Sequence, residues 1–162
     1  NCTFKGCSLH SALLQYVKFI ECRFESCDLS LMKLKSSLFN DVDVLDSKAI
    51  GIDFSTCEQP FSMNFYHTTL NMCSFYDLDM RQSDFIASQL HDTDFAKSNL
   101  ERVSFKESDL LNALFEESNL KLCDFSEAFN YRINPMTNTL KSTKVSRDEA
   151  QSFLTFFDLK IV

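Results

Sequence analysis

Residues 65–125, broken into fives, read FYHTT LNMCS FYDLD MRQSD FIASQ LHDTD FAKSN LERVS FKESD LLNAL FEESN LKLCD F. Every group opens on a large apolar residue: Phe65, Leu70, Phe75, Met80, Phe85, Leu90, Phe95, Leu100, Phe105, Leu110, Phe115, Leu120 and Phe125. Two residues before each opening stands a mostly small one, as in Thr68, Cys73, Ser83, Ser88, Thr93, Ser98, Ser108, Ala113, Ser118 and Cys123. A fixed period of this kind decides the fold before any single element is assigned.

A period of five fits neither the 3.6 of a helix nor the 2 of a strand. On an ideal helix, successive large residues would drift by roughly 140° and leave no stripe. Five residues do work as a short extended piece followed by a bend, two side chains in and three out. Four such units close a square coil of twenty residues, and stacked coils pair as parallel strands about 4.8 Å apart. The Phe/Leu alternation then places Phe65, Phe85, Phe105 and Phe125 in one inward column and Phe75, Phe95 and Phe115 in the opposite one. This is an all-β solenoid, a quadrilateral parallel β-helix.

The units Ser83-Asp84-Phe85, Thr93-Asp94-Phe95, Ser98-Asn99-Leu100, Ser108-Asp109-Leu110, Ser118-Asn119-Leu120 and Cys123-Asp124-Phe125 resemble the A-(D/N)-L-x-x consensus of pentapeptide-repeat proteins. The resemblance runs from Cys2 to Val145 and implies a right-handed coil. A fold of this type hosts several functions and fixes none of them.

Upstream the same spacing holds at Phe4, Leu9, Leu14, Phe19, Phe24, Leu29, Leu34, Phe39, Val44, Ala49 and Phe54, then degrades at Gln59. Asn1 is not a methionine and the repeat already runs at Cys2, so the chain is expected to begin inside a longer protein. From Phe54 to Phe65 the spacing is eleven, one residue too many, beside Pro60, which has no N–H for a ladder. This break near 59–61 reads as a bulge or bend, either a tolerated defect or a hinge. A turn near 130–137, through Tyr131-Arg132-Ile133-Asn134-Pro135, leaves the repeat, and Leu140 and Val145 return to it.

Residues 1–145 therefore form the β-helix and 146–162 a separate module. Ser146 and Glu149 have capping-box spacing, and Ala150, Phe153, Leu154 and Phe157 share one face of a short α-helix, with Phe156 beside them. Leu159, Ile161 and Val162 predict a short apolar strand. So many large apolar groups exceed what an end cap needs and point to an interface. In gyrase-protecting pentapeptide-repeat proteins a similar C-terminal module joins two subunits tail to tail. The resemblance thus implies a homodimer through Ala150, Phe153, Leu154, Phe156, Phe157, Leu159 and Ile161.

Most of the 17 phenylalanines fall at the central repeat position, and Gly and Pro number only two each, against an ordinary loop-rich domain. No long apolar run predicts a membrane span and no secretory leader is visible. Cys2, Cys7, Cys22, Cys27, Cys57, Cys73 and Cys123 all fall at the small inward position. They read as reduced apolar fillers in a cytoplasmic protein. His10, His67 and His91 fall outward, apart from every cysteine, so no metal spacing arises. No phosphate loop or nucleophile elbow is present. The expectation is a non-enzymatic protein with no catalytic residue, metal or cofactor.

Net charge is −7, with residues 1–130 acidic and residues 131–162 slightly basic. Asp77, Asp94, Glu116 and Glu117 share one outward face, with Lys33, Lys35 and Lys97 interspersed. Two readings stand. Asp and Asn before a central residue can bond the backbone at the bends, and acidity keeps a rod soluble. Alternatively the acidic face binds a partner. In the Qnr, MfpA-like and albicidin-resistance members, a dimeric acidic rod resembles B-form DNA and engages DNA gyrase or topoisomerase IV, countering a quinolone or toxin. The resemblance implies DNA mimicry at Asp77, Asp94, Glu116 and Glu117. The one-residue insertion differs from the long loops of plasmid Qnr proteins. The alternative is a structural scaffold for an unrelated protein. No basic stripe is present to bind nucleic acid directly.

Overall fold

The computed structural model describes residues 1–157. It is a parallel β-solenoid of about 7 turns. Strands β1 (Cys2–Lys5), β2 (Lys18–Glu25), β3 (Leu38–Leu45), β4 (Met63–Tyr66) and β5 (Phe85–Ile86) stack in chain order as one parallel sheet. Strands β6 (Asp124–Phe125) and β7 (Lys144–Val145) form a second, two-stranded sheet. Cys2 pairs with Cys22 and Phe4 with Phe24, the expected coil of twenty residues. Elsewhere the coils are joined by single parallel bridges such as Ser74–Asp94 and Asp94–Leu114.

The four inward columns are as the period requires. We number the faces in chain order from the one centred on Phe4. On the first, Phe65, Phe85 and Phe105 are stacked at 5.2 Å and Phe125 follows at 4.8 Å. On the third, Phe54, Phe75, Phe95 and Phe115 stack at 4.7, 5.2 and 5.3 Å. Rings of the two columns meet edge to face, Phe85 with Phe95 at 5.3 Å. Parallel-displaced stacks with perpendicular cross-contacts are favoured arrangements for aromatic quadrupoles. In the first coils the second aromatic column instead lies on the fourth face, where Phe19 stacks on Phe39 at 5.2 Å.

The break near Pro60 repairs the column that Gln59 leaves empty. Leu38 still bridges Glu58 at a spacing of twenty, whereas Val42 pairs with Met63 at twenty-one. The extra residue lets Gln59 and Pro60 loop outward and turns Phe61 inward, where it is buried against Phe54 at 5.8 Å and Phe39 at 6.4 Å. The insertion is thus a bulge that restores packing, and the aromatic column passes from the fourth face to the third through Phe61.

The small inward residues do more than fit corners. Thr68 N–H donates to Ser88 Oγ at 3.2 Å, and Ser88 N–H to Ser108 Oγ at 3.0 Å. The hydroxyls in turn donate to carbonyls of the preceding coil, as Ser118 Oγ does to Phe95 O at 2.8 Å and Ser98 Oγ to Phe75 O at 2.6 Å. Cys73 Sγ and Cys123 Sγ donate likewise, to Ala49 O and Leu100 O, each at 2.8 Å. Hydroxyls and thiols thereby satisfy backbone groups that a bend leaves out of the ladder. No buried side-chain nitrogen or oxygen among the described residues lacks a partner. Five of the cysteines are buried, Cys7 is half-buried and Cys2 is exposed; all seven are free thiols.

Most bends place their third residue in the left-handed region: Asp77 at φ 58°, Lys97 at 61°, Glu117 at 58°, Leu122 at 61° and many others. Val103 N–H closes on Leu100 O at 3.0 Å around Arg102, φ 71°, a turn of the type II pattern. Ordinary side chains pay about 1 kcal/mol or more for this conformation, which the coil-to-coil bonds hold in place.

Beyond Asn130 the chain re-enters the interior. Tyr131 and Ile133 are buried, not in an outward turn as the sequence suggests. Tyr131 lies 5.2 Å from Phe125 and 6.4 Å from Phe153, so the first aromatic column continues into the C-terminal segment. That segment is a 3-10 helix over Glu149–Phe157 rather than the expected α-helix. Ser152 Oγ and Thr155 Oγ1 bond the carbonyls three residues back, Glu149 O and Ser152 O, each at 2.7 Å. Phe153, Thr155, Phe156 and Phe157 have low α-helical propensity, and a period of three aligns Ala150, Phe153 and Phe156.

Candidate functional site

The third face carries the acidic residues singled out in the sequence. Consecutive coils bring them into one stripe: Asp77 N–H bonds Ala96 O at 3.0 Å and Lys97 N–H bonds Glu116 O at 2.8 Å. Asp77, Lys97 and Glu117 are therefore stacked at one bend, all exposed. Lys97 sits between the two acids, and its ammonium is pushed up first by the Tyr76 phenol beside it, then by Glu117 and Asp77. Its Nζ lies 5.5 Å from the Tyr76 ring centre. Glu116 is exposed and accepts from Thr137 Oγ1 at 2.8 Å.

Asp94 differs from the other three. It is half-buried, and its Oδ1 accepts the Ala96 N–H at 2.9 Å. The same local bond recurs at Asp28, Asp53 and Asp124. Asp84 and Asn64 instead accept from the next coil, Ser104 N–H at 2.8 Å and Asp84 N–H at 3.1 Å. The carboxylate before the central residue is thus part of the bend, and Asp94 contributes charge to the surface without being free to pair closely.

On the other faces charges meet in close ion pairs. On the first, Lys144 meets Asp124 at 2.7 Å and Lys106 meets Glu127 at 3.1 Å. Partial burial alone would raise the Asp124 carboxyl, but Lys144 and Ser126 outweigh it and hold the group at about 2. On the fourth, Arg81 chelates Asp79, and Glu101 is shared by Lys121 at 2.9 Å and Arg102 at 3.4 Å. Lys121 is the main reason the Glu101 carboxyl is held below its usual range. On the second, His91 Nε2 lies 2.7 Å from Asp109 Oδ2, and Asn130 donates to the other oxygen at 2.8 Å. Among the described residues no group of three or more His, Cys, Asp or Glu is placed to hold a metal ion.

At the C-terminal end, one half of the predicted capping box forms: Glu149 N–H donates to Ser146 Oγ at 3.3 Å. The Glu149 carboxylate does not return to Ser146 but accepts the Asn130 N–H at 2.8 Å, while Ser146 N–H donates to the Tyr131 hydroxyl at 3.0 Å. Ala150, Phe153 and Phe156 are half-buried on the rod, and the Arg132 guanidinium lies 5.0 Å over the Phe156 ring. Leu154 at 38% and Phe157 at 49% exposure stay outside. The apolar face foreseen as 150, 153, 154 and 157 is therefore split, because a period of three rotates 154 and 157 away. Leu159, Ile161 and Val162 lie outside the described residues. A cleft of about 430 Å³ beside the helix is lined by Leu111, Leu114, Glu116, Arg132 and Phe156 among others.

Two family models match this architecture: "pentapeptide repeat region" over residues 61–146, and "pentapeptide repeats (8 copies)" over residues 1–30. The chain belongs to the pentapeptide-repeat family. Of solved pentapeptide-repeat structures, trypsin-treated QnrB1, a plasmid-mediated fluoroquinolone resistance protein, is similar at a TM-score of 0.59 and 11% identity, covering 99% of this chain and 98% of that one. HetL, from the cyanobacterium Nostoc and involved in heterocyst differentiation regulation, gives 0.43 and 16%, over 89% and 83%. The likeness to QnrB1 shows a shared fold. No curated protein matches the chain in sequence. No helix among the described residues is long and apolar enough to cross a membrane.

Proposed function

We propose that this pentapeptide-repeat protein is a non-catalytic binding protein that presents an acidic rod to a type II DNA topoisomerase, DNA gyrase or topoisomerase IV, where duplex DNA otherwise lies. The observation that carries the reading is the exposed stripe of Asp77, Glu116 and Glu117 on one face of a stack of fixed rise. Carboxylates held on a rigid framework can replace phosphates in a basic groove without an ordering cost on binding. The fold likeness to QnrB1 makes a topoisomerase the first target to test, with protection against a quinolone or toxin as the consequence. The protein acts as a homodimer joined through its C-terminal segment; exposed Leu154 and Phe157 supply apolar surface for it.

A supercoiling assay decides. Adding the protein should inhibit gyrase or reduce drug-stabilised cleavage, less so at higher salt. The triple change Asp77→Lys, Glu116→Lys and Glu117→Lys should abolish the effect while the circular dichroism spectrum is kept. No effect of the wild-type chain on either reaction rejects the reading. A second reading, a scaffold for an unrelated protein, is favoured by the exposed Leu31 and Met72 on the second face. A partner that binds chains carrying the triple change as well as wild type would support it.

A further inference from the structure

The third face changes character along its length in a way the topoisomerase reading does not use. Its first three coils present Leu13, Tyr16, Lys33, Lys35 and Asp53, while its later coils present Asp77, Asp94, Lys97, Leu114, Glu116 and Glu117, followed by Met136. Leu13 is 67% exposed, Tyr16 70% and Met136 70%. The positions are fixed by the ladder: Tyr16 N–H bonds Lys35 O at 3.1 Å, Ser36 N–H bonds Thr56 O at 2.9 Å, and Phe54 N–H bonds Ser74 O at 2.8 Å. The face thus runs from apolar, through basic, to acidic, and back to apolar.

We propose that this face docks on the same face of a second copy of the chain, the two rods antiparallel. A two-fold axis at the coil of Tyr76 sets the second coil of one copy against the sixth of the other. Lys33 and Lys35 then meet Glu116 and Glu117, twice by symmetry. Tyr16 and Leu13 meet Met136 one coil further out. Asp53 meets Asp94, each turned onto the N–H two residues on, a like-charge contact that Lys97 on the same coil offsets. The two Asp77 side chains approach at the axis, each beside its own Lys97. A surface that is complementary to itself under one rotation is what an isologous interface requires. Charge complementarity of this kind fixes orientation more than strength. The pairing also covers Glu116 and Glu117, so it withdraws the acidic stripe from any other partner. It is separate from an association through the C-terminal segment and does not rest on the topoisomerase reading.

A zero-length carbodiimide cross-link tests it, because within one chain Lys35 and Glu116 are four coils apart, about 19 Å. An equal mixture of ¹⁵N-labelled and unlabelled full-length protein should yield mixed-isotope peptides joining Lys33 or Lys35 to Glu116 or Glu117. Lys35→Glu should cut their yield and raise the dissociation constant about tenfold in sedimentation. Lys35→Glu combined with Glu116→Lys should restore both, the link now running between the same two positions with amine and carboxylate exchanged. Phe157→Asp should leave the cross-links unchanged. Absence of mixed-isotope links, links confined to single-isotope peptides, or a double variant that behaves like Lys35→Glu would each overturn the proposal.

Discussion

Tyr131 closes the aromatic column on Phe125, ring centres 5.2 Å apart, and holds the C-terminal segment with the other end of the same side chain. Its hydroxyl accepts from Ser146 N–H at 3.0 Å and lies 3.3 Å from Ser146 Oγ. Burial pushes this phenol up, so it stays a neutral donor and acceptor. Tyr131→Phe should cost about 1 kcal/mol, and hydrogen exchange should show the loss at residues 146–157 with the coils below unaffected. Equal loss of protection along the whole rod would contradict this division.

Phe95 is buried between Phe75 at 5.2 Å and Phe115 at 5.3 Å, with Phe85 and Phe105 edge-on. Phe95→Ala opens a cavity the stacked neighbours cannot fill without leaving their own partners. The expected loss is about 3–5 kcal/mol, read from denaturant unfolding at unchanged slope.

Gly51 and Glu107 occupy equivalent bends, at φ 65° and 60°. A Cβ on Gly51 would stand 2.9 Å from Leu31 Cδ2 and in the left-handed region. Gly51→Ala should therefore cost about 1–2 kcal/mol. Glu107→Gly relieves the same backbone cost but gives the unfolded chain more freedom, so it should change stability by less than about 0.5 kcal/mol. Paired melting curves check the contrast.

Asp124, held at about 2, sets an acid limit. A depressed folded pKa gives stability that is complete above the unfolded value, about 3.9, and that fades as pH falls through the folded one. Its contribution, roughly 1–2 kcal/mol after solvent screening, should disappear between about pH 4 and pH 2. Asp124→Asn should flatten the acid-unfolding curve in that window and leave the rest of the profile alone.

Burial pushes the Cys57, Cys73 and Cys123 thiols up to about 12. A disulfide reagent at pH 8 should label exposed Cys2 within minutes and these three only on unfolding. Native-state labelling of Cys73 as fast as Cys2 would place it at the surface.

The interior was legible because the inward rule is local and repeats: Phe65 through Phe125 and the small residues before them are buried as the period demands. The exceptions have physical causes that a period cannot carry. Phe61 sits off the five-residue grid and is recruited because Gln59 cannot fill an apolar column. Ser88 and Ser108 stand in the sequence as small inward residues, and their hydroxyls also complete the ladder; the enrichment of Ser and Thr over Ala at this position was the available signal. The C-terminal helix lies over Glu149–Phe157, but its winding follows the phenylalanines and threonine of 153–157, which a pattern of apolar spacing does not register. At the candidate surface, Asp77, Glu116 and Glu117 are exposed, Glu116 with a bond from Thr137, while Asp94 is engaged by the bend that the repeat itself builds.

The passage of the aromatic column from the fourth face to the third, through Phe39, Phe61 and Phe54, has a bearing on how the chain winds. A solenoid whose coils were all alike could be threaded one coil out of place at little cost. Here such a slip would set rings of one half against the leucines of the other and leave Phe61 without its recess. The irregular centre therefore acts as an index mark from which both halves count.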